Sequence, residues 1–460
     1  MSIFFDIMYL GDIMNQNKFI EFRSKYPFFY YKSYNVEEND NELVITYHFS
    51  IPGLADFNPK TTIAKKNIVN KDYNYINYMA FNMGLVELIS YWKCTCSPNV
   101  IIEAGGLDEY QINWFKKLYY YGLGEFFYVN GINTSIDEFM SINTSDEKFD
   151  LNTIEYNGTG NMIAIGGGKD SVVSLELLKD KDNLCFMINP KTPGIECVKA
   201  AGYDDYLEIK RTIDRRLIEL NNEGYLNGHT PFSAIVAFTS YLCAYLNNKR
   251  YIVLSNEGSA NEATVIGTKI NHQYSKTYEF EVDFNEYADR YFGLNIKYFS
   301  LLRCLSEFQI GMLFANYKQY HKIFKSCNVG SKEIPWVWCC NCPKCLFVYI
   351  ILSPFLTKEE IINIFGCDLY EKDELLDTFI ELAGYAETKP FECVGTYSEV
   401  RYAISLCIEK YKDNLPYLLK YYNDNYPLEL EHQFEKDFND MNNLTEEFTD
   451  IVKKELNRYV

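Results

Sequence analysis

Residues 162–189 constrain the fold more than any other stretch of the chain. An apolar strand-like segment, MIAIG (162–166), leads through GGGKDS (166–171) into a helix-like run, DSVVSLELLKD (170–180). A second apolar segment, LCFMIN (184–189), follows. The pattern recurs downstream, where the helix-like FSAIVAFTSYLCAYLNN (232–248) feeds the strand-like YIVLSNEG (251–258). Apolar strands alternating with helices indicate a parallel sheet covered on both faces, so an α/β, doubly wound domain is expected.

The chain has 460 residues, enough for about two to three domains of roughly 150 residues, and 47% hydrophobic with 17% aromatic content can fill real cores. A formal charge of −19 argues against a general nucleic-acid or anionic-membrane binder, because such proteins carry a basic face. An anionic substrate therefore needs a local basic pocket. The opening MSIFFDIMYLGD has no positively charged n-region or small-residue cleavage site, and reads as a buried strand or helix rather than a signal peptide. The apolar run LFVYIILSPFL (346–356) is about half the roughly 20 residues needed to span a bilayer. A cytoplasmic protein without a membrane partner is expected. Fourteen cysteines then suggest buried thiols, metal ligands or catalytic groups rather than a disulfide framework.

Residues 1–150 mix strand-like pieces such as ELVITYHFSI (42–51) with helix-like ones such as YMAFNMGLVELISYW (78–92), predicting a mixed α+β N-terminal domain. The polar stretch 139–161 has a loop-like composition and marks the boundary. Residues 151–356 form the expected nucleotide domain, and 357–460, rich in Glu, Leu, Lys and Tyr at helical spacing, a helical extension.

Three glycines between a strand and a helix start let the backbone approach an anion, and free N–H groups with the helix dipole favour negative charge there. The alternative is a plain glycine turn. Lys169 follows the glycines directly and Asp170 separates it from Ser171, so neither G-x-x-x-x-G-K-[ST] nor G-x-G-x-x-G fits. The order Gly-Gly-Lys-Asp-Ser instead resembles the S-G-G-x-D-S loop (PP-loop) of the N-type ATP pyrophosphatases, which adenylate a substrate and release pyrophosphate. Gly166 stands where that pattern has its first serine, so one hydroxyl that the resemblance implies is missing.

A second constellation, SCNVGSKEIPWVWCCNCPKC, spans residues 326–345. Cys339, Cys342 and Cys345 recur at every third position, and Cys327 lies upstream across a glycine-containing turn. Four such thiolates can close a tetrahedral zinc site. Cys340 could replace Cys339, an iron–sulfur cluster could use the same thiolates, and buried cysteines without a ligand remain the third reading. Some PP-loop enzymes, such as the 7-cyano-7-deazaguanine synthases, carry a similar zinc site.

Five stretches besides IGGGKDS narrow the family. They are GLGEFFYVNGI (122–132), SNEGSANEA (255–263), NHQYSKTYEFE (271–281), CPKCLFVYIILSPFL (342–356) and KPFECVGTYSEVRYA (389–403). Together they resemble, along nearly the whole chain, the UDP-N-acetylmuramoyl-L-alanyl-L-glutamate epimerases of MurL type. The resemblance implies an ATP- and Mg²⁺-dependent inversion of the terminal L-Glu of a UDP-sugar dipeptide, with release of AMP and pyrophosphate. The chemistry is coherent, because an α-proton beside an ionised carboxylate is very hard to remove. An acyl-adenylate cancels that charge and lets a positioned base act.

On that reading Gly166, Gly167 and Gly168 offer N–H groups to the phosphates, Lys169 neutralises them and Ser171 binds one oxygen. Asp170 holds Mg²⁺ or caps the helix. Ser255, Asn256 and Glu257 end a strand, at the sheet edge where ligands sit. Glu257 is a candidate for magnesium or substrate, or else a helix cap. His272, Lys276 and Cys393 are candidates for the proton transfers, alongside structural roles. Lys276, Lys389 and Arg401 are candidates for the basic pocket, and the aromatic run 116–128 either covers the nucleotide or packs the core. Two other functions stay open: another adenylating enzyme (an epimerase of a different peptide, a ligase, an amidase or a thiolase) and a nucleotide sensor with a zinc module.

Overall fold

The computed structural model describes residues 15–459 apart from 67, 150, 152–153, 263–270, 272–273, 334 and 387. His272 and the opening segment 1–12 lie outside the described residues. The described strands are β1 (Phe28–Glu38), β2 (Glu42–Ile51), β3 (Ala55–Phe57), β4 (Lys60–Ala64), β5 (Asn99–Ile102), β6 (Ser141–Thr144), β7 (Asn161–Ala164), β8 (Asn183–Ile188), β9 (Leu207–Thr212), β10 (Tyr251–Leu254) and β11 (Lys297–Ser300). All eleven belong to one sheet, in the order β11-β10-β7-β8-β9-β4-β2-β1-β5-β6, with β3 paired to β2.

The protein is α/β with a mixed sheet. β7 to β11 run parallel to one another. Counted along the chain, these five strands take the order 3-2-1-4-5 across the sheet. The chain reverses its direction of travel between β7 and β10, and open α/β sheets bind ligands beside such a point, at the carboxyl ends of the strands. The rest of the sheet holds the β1–β2 hairpin and β4, antiparallel to one another, with β5 and β6 parallel to β1.

Both faces of the parallel part are covered, as near-continuous apolar strands require. Side chains alternate along a strand. Met162 of β7, Phe186 of β8 and Ile252 of β10 enter one apolar core. Their neighbours Ile163, Cys185 and Val253 enter a second core on the opposite face. The first core contains helix α1 (Tyr73–Trp92), buried on almost every side, against helix α2 (Phe232–Leu246). The second holds the helices of residues 307–456, including those beyond 357, where the described elements are all helical. The polar stretch 139–161, expected as loop, contains β6. This strand lies at the sheet edge with side chains alternately exposed and half-buried, so its composition stays polar.

The two ends of the sheet are joined by β4 and β9, paired antiparallel from Lys60–Thr212 to Ile63–Ile209. Arg211 of β9 makes a two-pronged contact with Glu87 of α1, at 2.8 and 2.7 Å, and donates to Ser90 Oγ at 3.0 Å. Glu87 is 3% exposed. Arg211→Met should therefore lower stability by about 3–5 kcal/mol, because the remaining carboxylate is buried without its partner. The double change Glu87→Leu with Arg211→Met should lose much less. Denaturant unfolding of the three proteins measures both.

Candidate active site

The glycine loop leaves β7 and enters helix α3 (Lys169–Leu178), with Gly168 at its N-cap and no side chain capping it. Gly167 has φ +86°, and a Cβ there would lie 2.6 Å from the Gly194 nitrogen, so both conformation and space demand glycine. At Gly166 a Cβ would meet nothing within 4 Å. Ser171 holds the loop from within: its Oγ accepts from the Gly167 N–H at 3.2 Å and donates to the Gly168 carbonyl at 3.0 Å.

Lys169 is 1% exposed and is clasped by Asp170 and by Glu307, which is equally buried. Burial opposes the lysine charge, yet the two carboxylates outweigh it and hold the ammonium above its ordinary range. Asp170 also feels burial first, but Lys169, Lys344 and Lys276 keep its carboxyl below the usual value. Burial pushes Glu307 up to about 8, with Asp170 and Glu257 acting in the same direction against Lys169 and Lys344. Three lysines thus face several acids that crowd one another.

A cleft beside this cluster is lined by Glu257, Glu262, Lys276, Lys389 and Cys393. Lys276 Nζ donates to Cys393 Sγ at 3.3 Å. Burial disfavours its charge, and Cys393, Glu257 and Asp170 more than compensate, leaving it above its usual range. Lys389 pairs with Glu262 at 2.5 Å. Arg303, fully buried, donates to the carbonyls of Glu257 (2.9 Å) and Lys276 (2.5 Å), fixing both residues by their backbones.

The charged groups meet here because of where their helices begin. Lys169 and Asp170 open α3, and Glu307 opens helix α4 (Glu307–Ala315). Lys344 lies in the first turn of helix α5 (Pro343–Leu352), and Glu399 in that of helix α6 (Tyr397–Tyr411). Glu399 Oε1 accepts the Glu307 N–H at 2.6 Å, and Lys344 Nζ donates to the Cys393 carbonyl. Four helix N-termini gathered in one place favour anions. Of these four, the starts of α4 and α6 are closed by capping boxes, whereas that of α3 carries no side-chain cap.

The structure brings together Lys169, Asp170, Glu257, Lys276, Cys393 and Lys389. Glu257 precedes a short 3-10 helix but makes no side-chain cap, and its side chain lines the cleft. Ser255 is spent on packing, with its Oγ 2.8 Å from Ser174 Oγ on α3, and the Asn256 carbonyl accepts Ser300 Oγ at 2.6 Å. Arg401 stands apart, paired with Glu429 at 2.7 Å. In the aromatic run 116–128, Leu118, Tyr119, Phe126 and Phe127 are buried in the first core, while Tyr121 packs at a tilt against Tyr274 and Tyr128 against Phe391. The sequence reading missed Glu307, Lys344, Glu399 and Arg303. Glu307 carried a signal, an acid opening the otherwise apolar EFQIGMLFA, and Lys344 lay inside the CPKC motif.

The four sulfurs of Cys327, Cys339, Cys342 and Cys345 lie within 4.8 Å of one another. Three of the separations are 3.7, 3.7 and 3.5 Å. A tetrahedron with zinc–sulfur bonds of about 2.3 Å has edges of about 3.8 Å, so the donor set fits that ion. Cys340 points elsewhere: its φ is +55° and its Sγ donates to the Phe365 carbonyl at 3.2 Å. The cluster touches the cleft at two places, through Lys325, whose N–H donates to the Gly167 carbonyl at 2.9 Å, and through Lys344.

Residues 21–301 match the family model of the MurL N-terminal domain, and residues 323–437 that of the MurL C-terminal domain. Three curated relatives share the name UDP-N-acetyl-alpha-D-muramoyl-L-alanyl-L-glutamate epimerase. The protein from Xanthomonas oryzae pv. oryzae is 34% identical over 70% of this chain and 73% of its own. That from a Micromonospora species is 35% identical over 71% and 74%, and that from Salinispora tropica 36% over 71% and 72%. No solved structure matches the chain. No helix among the described residues is long and apolar enough to cross a membrane. With both domain models matched in order and relatives above 30% identity along most of its length, the chain belongs to the MurL family of epimerases and is an enzyme of the isomerase class.

Proposed function

We propose that this enzyme adenylates the terminal L-glutamate carboxylate of UDP-MurNAc-L-Ala-L-Glu with ATP, inverts the glutamate Cα and releases the D-Glu product with AMP and pyrophosphate. The nucleotide half, on this reading, is a PP-loop domain. The observation that carries the proposal is the adjacency of two chemistries: the glycine loop with Lys169 and Asp170, and beside it the cleft with the Lys276–Cys393 pair. The names of the relatives supply the substrate.

The loop amides and the α3 N-terminus bind the phosphates, and Lys169 balances their charge. Asp170, Glu257 and Glu307 would hold Mg²⁺ through carboxylate oxygens, and its charge would offset the burial and the neighbouring acids that push Glu307 up. Mg²⁺ bound there would supply charge screening for the phosphates; the substrate carboxylate attacks the α-phosphorus of the ATP held by the loop, and pyrophosphate departs. Lys389 and Lys276 offer cations to the anionic peptide. The Lys276 ammonium stabilises a Cys393 thiolate, which takes the α-proton of the adenylated glutamate. A Cα lying between two bases needs a contact of about 3 Å on each side, about 6 Å in all. At 3.3 Å apart, Lys276 and Cys393 work together on one face, so the carbanion takes its new proton on the opposite face from a separate acid or from water, which completes the inversion. Water then hydrolyses the mixed anhydride.

The four cysteines would hold zinc in a closed all-thiolate site, which supplies structure and no open position for chemistry.

With ATP, Mg²⁺ and UDP-MurNAc-L-Ala-L-Glu in D₂O, the protein should release AMP and return the peptide with deuterium at the glutamate Cα and D configuration. Mass spectrometry and chiral analysis read both. AMP without exchange would instead identify a ligase, amidase or thiolase, and ATP binding without turnover a sensor. Lys169→Ala should abolish AMP release. Cys393→Ala should slow Cα exchange by about 100- to 10,000-fold while pyrophosphate–ATP exchange continues; equal loss of both would remove Cys393 from proton transfer. Elemental analysis should find one zinc per chain, lost in Cys342→Ser. An absorption band in the visible range would favour iron and sulfur.

A further inference from the structure

The residue that precedes the first thiol of the cysteine cluster is Ser326. Its Oγ is buried and finds no hydrogen-bond partner among the described residues. A methyl group placed on Gly168, the N-cap of α3, would meet the Ser326 Cβ at 3.4 Å. The next residue back, Lys325, donates its N–H to the Gly167 carbonyl at 2.9 Å, which ties this segment to the glycine loop. On the other side Cys327 anchors it in the four-sulfur cluster. The enclosed hydroxyl belongs to a residue that is itself only half-buried and that sits beside an uncapped helix start, and buried polar groups are almost always satisfied.

We infer that Ser326 is part of the anion site and donates its hydroxyl to the pyrophosphate moiety held by the glycine loop. The assignment rests on the nucleotide reading of that loop. It gives the loop a hydroxyl that its own sequence lacks at Gly166, and it gives the cysteine cluster a task in the cleft: to hold one ligand-binding residue in place. A change of χ1 rotamer moves a serine hydroxyl without moving the backbone, and such a change would bring the Ser326 Oγ toward an oxygen at the α3 N-terminus. Gly166 is open to the same solution, because a Cβ there meets nothing.

The test is calorimetric titration of the full-length protein with inorganic pyrophosphate in the presence of Mg²⁺. Ser326→Ala should weaken binding about tenfold or more, the usual worth of a hydrogen bond to a charged group. Its melting temperature should stay close to that of the parent, since the change removes an unpaired group. Adding Gly166→Ser to Ser326→Ala should recover most of the lost affinity. Unchanged binding by Ser326→Ala overturns the assignment and leaves the loop reading intact. Failure of Gly166→Ser to recover any affinity also overturns it, by showing that the loss did not come from a missing hydroxyl. A parent protein that binds no pyrophosphate overturns the nucleotide reading itself.

Discussion

A lysine with 1% exposure keeps its charge only if carboxylates come to it, and the candidate site is organised by that requirement. Lys169 draws Asp170 from its own helix and Glu307 from α4. Glu307 in turn has its backbone N–H fixed by Glu399 at the start of α6. The arrangement aligns the first turns of separate helices on one cleft, so the charges that would be costly apart become mutually supporting. In a chain with a net charge of −19, positive charge is thus concentrated at helix ends and on a few enclosed lysines rather than spread over the surface.

The local pattern around the loop was legible because it is local. The strand ELVITYHFSI coincides with β2, and the helix expected at 232–248 is found at Phe232–Leu246. The apolar runs around residues 162, 184 and 251 are all strands. The cysteine spacing likewise led to a group of four sulfurs, with Cys339 rather than Cys340 facing the other three. These readings need only periodicity, glycine and short-range spacing.

What stayed hidden depends on long-range pairing. Nothing in KTTIA or LEIKRT announces that β4 and β9 pair across about 150 residues of chain. Glu307 and Glu399 look like ordinary first-turn acids of capped helices, and their burial follows only from helices that meet in space. Arg303 lies in an apolar turn and acts through backbone carbonyls, which leave no trace in sequence spacing. Arg401 erred the other way: it stands twelve residues after Lys389 in a suggestive motif, but α6 carries it away from the cleft to Glu429.

The continuous sheet has a mechanical consequence. Enzymes that enclose a nucleotide commonly do so by swinging two domains about a hinge. Here the β4–β9 ladder locks the two halves edge to edge, and the Arg211–Glu87 contact clamps a long helix across the seam. A rotation of one half against the other would have to tear hydrogen bonds from the middle of a sheet. The continuous ladder thus leaves the segments at the strand ends as the places where the backbone is free of sheet pairing.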